Sequence, residues 1–590
     1  MHILSEITIK NFKSIKNQAF ELSAFTPMVG YNNAGKSNIL EAIKWLLRKT
    51  SLTESSFNDA NHPVEIEGVI SGISQSILEQ LPENQLTAIQ PYLTIGTISI
   101  KRIQQQPNIG VAQIRLLVKD PANIGTASEW RSNPTGLDQA LQALFPEPIQ
   151  IGAMENAEED VSKSKNTTTI GKLLAEIIGP IQTSYSMQVQ TALNGIKNLL
   201  DADGTQRASE LNAFDAAVNS KVESFFPGVS IKVHVPTPEL KEVFSKGTIK
   251  VFENLNPLGR DVSALGHGAQ RSIQMALVRH LADVKRDSGE QMSNTVLLIE
   301  EPELYLHPQA IEILRDALKT ISTQGYQIIF STHSPFMITS KDVENTLLIR
   351  KNDTRGTYKR NSLKAAIPTV VTEAPSQLEL LFSLSHSSNI LFSERVILAE
   401  GTTENRLLPS IIQKVTSKTI GLHKTALVSM GGSGSTKKAM KVLQAMDIPT
   451  KAIVDLDYAL KHGEHEGFLV VNDSDVVAIK NHLASIASTR SITLSNDGWP
   501  TKGVVPAADA FRLLAKETAI QSKIDSLKAK MKTAGIYIWT KGTIEDHLGG
   551  IPKNEAGWAN FNIRLEKEEL CAILPNDHIE ITNFVNWIMS

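Results

Sequence analysis

Eight residues, Gly30-Tyr-Asn-Asn-Ala-Gly35-Lys36-Ser37, constrain this chain more than any other stretch. They match G-x-x-x-x-G-K-[ST] in full, follow the apolar run TPMV and open a helical pattern, NILEAIKWLLR. A strand, a glycine-bearing turn and a helix N-terminus in that order present backbone N–H groups to an anion. Gly30 and Gly35 permit the turn, and Asn32 and Asn33 sit within it. Lys36 neutralises β- and γ-phosphate charge, and the Ser37 hydroxyl is placed to ligate Mg²⁺. The stretch therefore predicts bound ATP and an α/β core built around it.

At 590 residues the chain is too long for one core, and two or three domains are expected. A hydrophobic share of 41% and a charged share of 21% are those of an ordinary globular protein. No run reaches the roughly 18 apolar residues of a membrane span, and the start, MHILSEITIKNFKSI, reads as a strand rather than a signal segment. The single cysteine, Cys571, excludes a disulfide framework and any multi-cysteine zinc site, which points to a cytoplasmic setting. A net charge of −3 argues against unspecific coating of DNA but leaves room for a local basic groove.

Residues 1–120 alternate strand patterns (ITIKNF, FTPMVG, VEIEGVI, YLTIGTISIKRI, IRLLVK) with one helix over Ser37–Arg48. The span 121–245 reads as an insertion of paired helices, a candidate dimerisation element. From 246 to 350 the α/β alternation returns, 351–390 reads as a linker, and 391–590 as a second α/β unit with a helical insertion at about 475–533.

Three further elements follow the first motif in order. Leu265-Gly-His-Gly-Ala-Gln-Arg-Ser272 is a glycine-bearing loop ahead of the helical pattern IQMALVRHLADV, and Gly268 within it is a second candidate anion contact. The apolar run VLLI delivers Glu300 and Glu301, one placed to hold the Mg²⁺ shell and the next to activate water. The strand YQIIF ends in Ser-Thr-His333, where ligands of open α/β sheets bind. Taken together, the four elements resemble an ABC-type ATPase of the SMC and RecF class, as Walker A, signature, Walker B and switch histidine. The resemblance implies that Glu301 is the catalytic base and Glu300 the magnesium-side carboxylate, where the class more often has Asp. It also implies a homodimer or a dimer of dimers, because in that class the signature loop completes the ATP site of a second copy. His267 replaces a signature glycine, and the gap of about 220 residues after Walker A is too short for a long coiled coil.

The second unit carries an acidic series. Arg395-Val-Ile-Leu-Ala-Glu400-Gly-Thr-Thr-Glu404 is a strand ending on a carboxylate, with another on the first helical turn. About 50 residues on, KAIV runs into Asp455-Leu-Asp457, whose period-2 spacing places both aspartates on one face of a strand. Four carboxylates from two strand ends suit Mg²⁺ or Mn²⁺. Ile536-Tyr-Ile-Trp-Thr-Lys541-Gly-Thr-Ile-Glu545 adds a candidate metal ligand, Glu545, and a cation for a phosphate, Lys541. The glycine-rich VSMGGSGSTKK between the acidic motifs is a further candidate phosphate contact.

E-G-x-x-E followed by D-x-D resembles the Toprim domain. An N-terminal ABC-type ATPase followed by a Toprim domain resembles the OLD (overcoming lysogenization defect) nucleases over nearly the whole chain. That resemblance implies a divalent-metal-dependent DNA endonuclease, with Glu400 and Asp455 at its catalytic centre and nucleotide state controlling cleavage in antiphage defence. It leaves open an operon-encoded partner such as a reverse transcriptase with its msDNA or a UvrD-like helicase. The alternative of a different class is an ATP-gated DNA-binding or sensor module that does not cut.

Overall fold

Antiparallel and parallel β-sheets, packed against helices, carry the buried core. The computed structural model describes residues 2–145, 148–152, 169–236, 250–253, 256–287, 295–362, 364, 388–430 and 436–590. These form two compact units, 1–26 with 37–332 and 27–36 with 333–590.

In the first unit, six strands form an antiparallel run in the order Trp130–Ser132, Arg115–Lys119, Ile98–Gln104, Val64–Ser71, Ile3–Phe12 and Ile15–Glu21. Val64–Ser71 alternates buried and half-buried positions along its length, and that alternation fixes its register, since a one-residue slip would turn Val64, Ile66 and Ile70 outward. Three further strands, Ile149–Ile151, Thr295–Glu300 and Tyr326–Thr332, pair in parallel. Tyr326–Thr332 is buried at every position, as a parallel strand covered on both faces must be. The helix Pro308–Ser322 packs on that strand and buries Ile311, Leu314, Leu318 and Ile321.

Within the span read as a helical insertion, Thr169–Leu200 and Ser209–Phe225 are helices. The same span also contains Ile149–Ile151, paired to Thr295–Glu300. An edge of the parallel sheet thus lies inside a stretch whose strand is too short to show a period of its own.

In the second unit, Leu347–Asn352 pairs antiparallel with Gly356–Lys359 and runs parallel to Met28 and Val29. Of the span read as a linker, 363 and 365–387 lie outside the described residues. A separate sheet holds four parallel strands in the order Thr425–Ser429, Arg395–Ala399, Thr450–Asp455, Ile536–Trp539. The chain leaves Arg395–Ala399 toward one side and later returns on the other, so a topological switch point lies between Arg395–Ala399 and Thr450–Asp455. Ligands of open parallel sheets bind at such a crevice, at the carboxyl ends of the strands. Helices Ser474–Ala487, Ala507–Ala515 and Gln521–Thr533 fill the interval before the last strand.

The core of this sheet is aromatic. Phe584, fully buried on the helix His578–Met589, packs edge-on to Tyr537 with ring centroids 4.6 Å apart and tilted against Trp539 at 4.8 Å. Helix Thr402–Thr416 packs against Glu555–Lys567 and His578–Met589 and adds Leu407, Leu408, Ile411 and Ile412. Phe584→Ala removes the ring that joins both aromatic strand residues. Its expected cost is about 3–5 kcal/mol, read as a lowered denaturation midpoint with the slope unchanged.

Candidate functional site

The P-loop turn is held by contacts that only small residues permit. A Cβ at Gly30 would lie 2.5 Å from the carbonyl oxygen of Ile349, and Gly35 has φ 102°. Asn33 takes φ 66°, the left-handed region that Asn tolerates, and with Asn32 it is exposed at the tip of the turn. Lys36, at the start of helix Lys36–Leu47, is buried. Its ammonium donates to the carbonyls of Gly30 at 2.7 Å and Tyr31 at 3.2 Å and lies 2.9 Å from His333 Nε2. The structure thus brings the P-loop lysine together with the histidine read as the switch residue, the lysine being folded onto the turn.

In the first unit, the Ser37 hydroxyl bonds the Glu300 carboxylate, which joins the two residues assigned to one Mg²⁺ shell. Burial raises the Glu300 pKa above its usual range. Ser37 opposes this, while the charges of Glu41 and Glu301 add to it. Glu301 occupies a tight turn at φ 44°, its N–H bonded to the Ser331 carbonyl at 3.0 Å.

The sequence reading places Leu265–Ser272 in a loop, whereas the helix already begins at His267 and runs to Asp287. Gly268 fits there because its Cα passes close to the Tyr305 carbonyl, where a Cβ would come within 2.9 Å. Arg271, buried, donates to the carbonyls of Glu300 at 2.8 Å and Glu301 at 3.1 Å. This arginine pins the turn that carries Glu300 and Glu301, which the motif alone does not reveal.

The acidic site stands at the switch point of the second sheet. Among the described residues, Glu400, Asp455 and Asp457 offer ligand oxygens that all lie within 4.8 Å of one another. The Asp455 N–H donates to Glu400 Oε2 at 3.0 Å, which ties the two strand ends together. One correction concerns Asp457. The strand ends at Asp455, and Asp457 lies on the first turn of helix Leu456–His462. Strand alternation therefore does not bring the two aspartates together; the strand-to-helix turn does.

Glu404 and Glu545 lie beside this trio rather than in it. Both are buried, and Glu545 Oε1 accepts from the Thr403 hydroxyl at 2.5 Å. Among the described residues its other oxygen, Oε2, is buried without a hydrogen-bond partner, an orphan that a cation would satisfy. Burial, then the charges of Glu545 and Glu400, push Glu404 up to about 7. Burial, then Glu400, Glu404 and Asp457, push Asp455 up to about 9. Glu545 moves the other way: burial raises it, but bonds from Thr403, a backbone N–H and Thr543, with the charge of Lys553, leave it lowered. So many carboxylates at one point fit divalent cations, since without one a proton must stand in for the missing positive charge.

Lys541, read as the phosphate cation, is 2.7 Å from Asp577, which also bonds the buried His547. Lys553, which the sequence reading missed, is 3.7 Å from Glu545 and more exposed, and its charge lowers Asp455 and Glu404 as well. Lys461 is 3.2 Å from Asp457. Within VSMGGSGSTKK, residues 431–435 lie outside the described residues.

Comparison with known proteins agrees with this geometry. The AAA ATPase domain family matches residues 1–83 and 103–338, and the TOPRIM domain of overcoming lysogenization defect protein-like proteins matches 391–457. The Old nuclease of Escherichia phage P2 is 38% identical over 99% of both chains. The OLD nuclease of Thermus scotoductus is 22% identical over 77% of this chain and 82% of its own. Endonuclease GajA of Bacillus cereus is 24% identical over 73% and 71%. With a P-loop ATPase domain ahead of a Toprim acidic centre, and near full-length identity to an Old nuclease, the chain belongs to the OLD family of nucleases.

Proposed function

We propose that the chain cleaves DNA in a reaction that depends on divalent metal, with the nucleotide state of its ATPase site governing cleavage, as part of antiphage defence. The convergence of Glu400, Asp455 and Asp457 at the sheet switch point carries this reading. Divalent cations bound there supply the charge that activates water and stabilises the leaving oxygen of a phosphodiester. Glu400, Asp455 and Asp457 would hold one ion, and Glu404 with Glu545 a second; Mg²⁺ and Mn²⁺ both suit an all-oxygen donor set. Lys541, anchored by Asp577, and Lys553 face phosphate as the available cations. At the other site, Gly30, Asn32, Asn33, Gly35 and Lys36 cradle the ATP phosphates, Ser37 and Glu300 hold Mg²⁺, and Glu301 activates water. His333 senses the γ-phosphate, and Gly268 completes the site of a second copy in a homodimer or dimer of dimers.

Metal removal tests the reading. Supercoiled and linear DNA are expected to be cut with Mg²⁺ or Mn²⁺ and left intact in EDTA, as gel electrophoresis would show. Uncut DNA under every metal and nucleotide condition would sink the nuclease reading and leave an ATP-gated DNA-binding or sensor module.

A further inference from the structure

Residues 30–36 of the P-loop and the acidic centre belong to one compact unit, and a continuous set of bonds joins them. Tyr31, the second residue of the P-loop, is held at both ends. Its carbonyl accepts from Lys36, and its hydroxyl donates to the Lys351 carbonyl at 2.6 Å while accepting from the Lys351 N–H at 3.0 Å. The turn also leans on the same hairpin through Thr357, whose hydroxyl donates to the Ala34 carbonyl at 2.8 Å.

Next to Lys351 in the strand Leu347–Asn352, Arg350 is buried. Its guanidinium donates to the Ser393 carbonyl at 2.9 Å and the Leu391 carbonyl at 3.3 Å and pairs with Glu394 at 3.0 Å. From the adjoining strand end, Arg360 binds the other Glu394 oxygen at 2.9 Å and its carbonyl at 3.2 Å. The Glu394 N–H donates to the Lys424 carbonyl at 2.8 Å, and the Lys424 ammonium lies 5.0 Å above the Tyr31 ring. The circuit thus closes on the residue where it began. Glu394 immediately precedes strand Arg395–Ala399, which delivers Glu400.

We infer that Tyr31 and the Arg350–Glu394–Arg360 ion-pair triad are positioning elements that set the Glu400 ligand according to what the P-loop holds. Phosphate bound in the turn competes for Lys36 and releases the Tyr31 carbonyl. Tyr31 then shifts against Lys351 and Lys424, and both contacts lead to Glu394. A planar guanidinium held on three acceptors transmits such a shift as a change of position rather than absorbing it. The inference rests on the nucleotide control proposed above and gives it a route. The test measures the coupling between the two sites directly.

Linkage requires that if nucleotide changes Mn²⁺ affinity, Mn²⁺ changes nucleotide affinity by the same factor. In the full-length protein, with Mg²⁺ in excess throughout to fill the nucleotide's own metal site, the dissociation constant of a non-hydrolysable ATP analogue would be measured by calorimetry with and without Mn²⁺, and that of Mn²⁺ with and without the analogue. Any factor that persists in Asp455→Asn belongs to the nucleotide site and is divided out. A wild-type factor of about 5–150 is typical of coupled sites. Tyr31→Phe, which keeps the ring and loses only the hydroxyl, and Glu394→Gln are each expected to bring that factor severalfold closer to one. If wild type is coupled and both variants match it, the inference is overturned while nucleotide control stands. If wild type shows no coupling in binding or cleavage, nucleotide control itself fails. Should Glu394→Gln melt early, Tyr31→Phe decides alone.

Discussion

Asp455→Asn is expected to lower DNA cleavage on the order of a thousandfold and, in EDTA at pH 8, to raise the melting temperature of the protein. The two effects share one cause. Asp455 is crowded by Glu400, Glu404 and Asp457 in a buried site that pushes its carboxyl up to about 9. A group raised above its unfolded value contributes its full stability below that unfolded value, near pH 4, and loses it as pH rises through the folded one. Glu404, pushed up to about 7, acts in the same direction. The metal-free wild type should therefore lose stability steadily from about pH 4 to pH 9. The asparagine variant, with one fewer charge to bury, should lose less. A change of 1 kcal/mol moves Tm by about 2–4 °C in a domain of this size, so the difference is measurable by calorimetry. With Mn²⁺ the order reverses, because wild type keeps the ligand and the variant has lost it. Superimposable EDTA melting curves across this range, or cleavage at the wild-type rate, would count against the assignment.

Lys36→Ala is the second large effect, with ATP hydrolysis expected to fall by about 10²–10³. The lysine is buried, and the acceptors it now uses, the Gly30 and Tyr31 carbonyls, belong to the turn that would hold the phosphates. Removing it leaves β- and γ-phosphate charge without its nearest cation, and phosphoryl transfer depends on positioning and charge stabilisation. Phosphate release with saturating ATP and Mg²⁺ reads the outcome. Hydrolysis at the wild-type rate would show that nucleotide chemistry occurs elsewhere.

Sequence reading recovered what backbone geometry dictates and missed what side chains reach across loops. Gly30 and Gly35 were legible because a phosphate-cradling turn admits little else, and Glu400 because an apolar strand announces its own end. Asp457 was grouped with the right partner for the wrong reason, since two residues at a strand end can equally be the last of the strand and the first turn of a helix. Lys553 follows Glu545 on a loop with Gly549 and Gly550 at positive φ, and no periodicity points such a residue back at an acidic site. Arg271 reads as an ordinary helical arginine until the carbonyls of Glu300 and Glu301 are seen within its reach.

The ion-paired joint at Glu394 also bears on where such a chain can be divided. A fragment beginning at 391, where the motifs suggest a border, would keep Glu394 but lose both arginines that neutralise it. It would also expose the backbone that Arg350 now covers. By these contacts the hairpin Leu347–Lys359 belongs with the acidic-centre fold as one physical unit. Recombination among relatives that exchanged one without the other would leave the half-buried Glu394 carboxylate without its two guanidinium partners. Crossovers that preserve function are therefore expected upstream of Leu347.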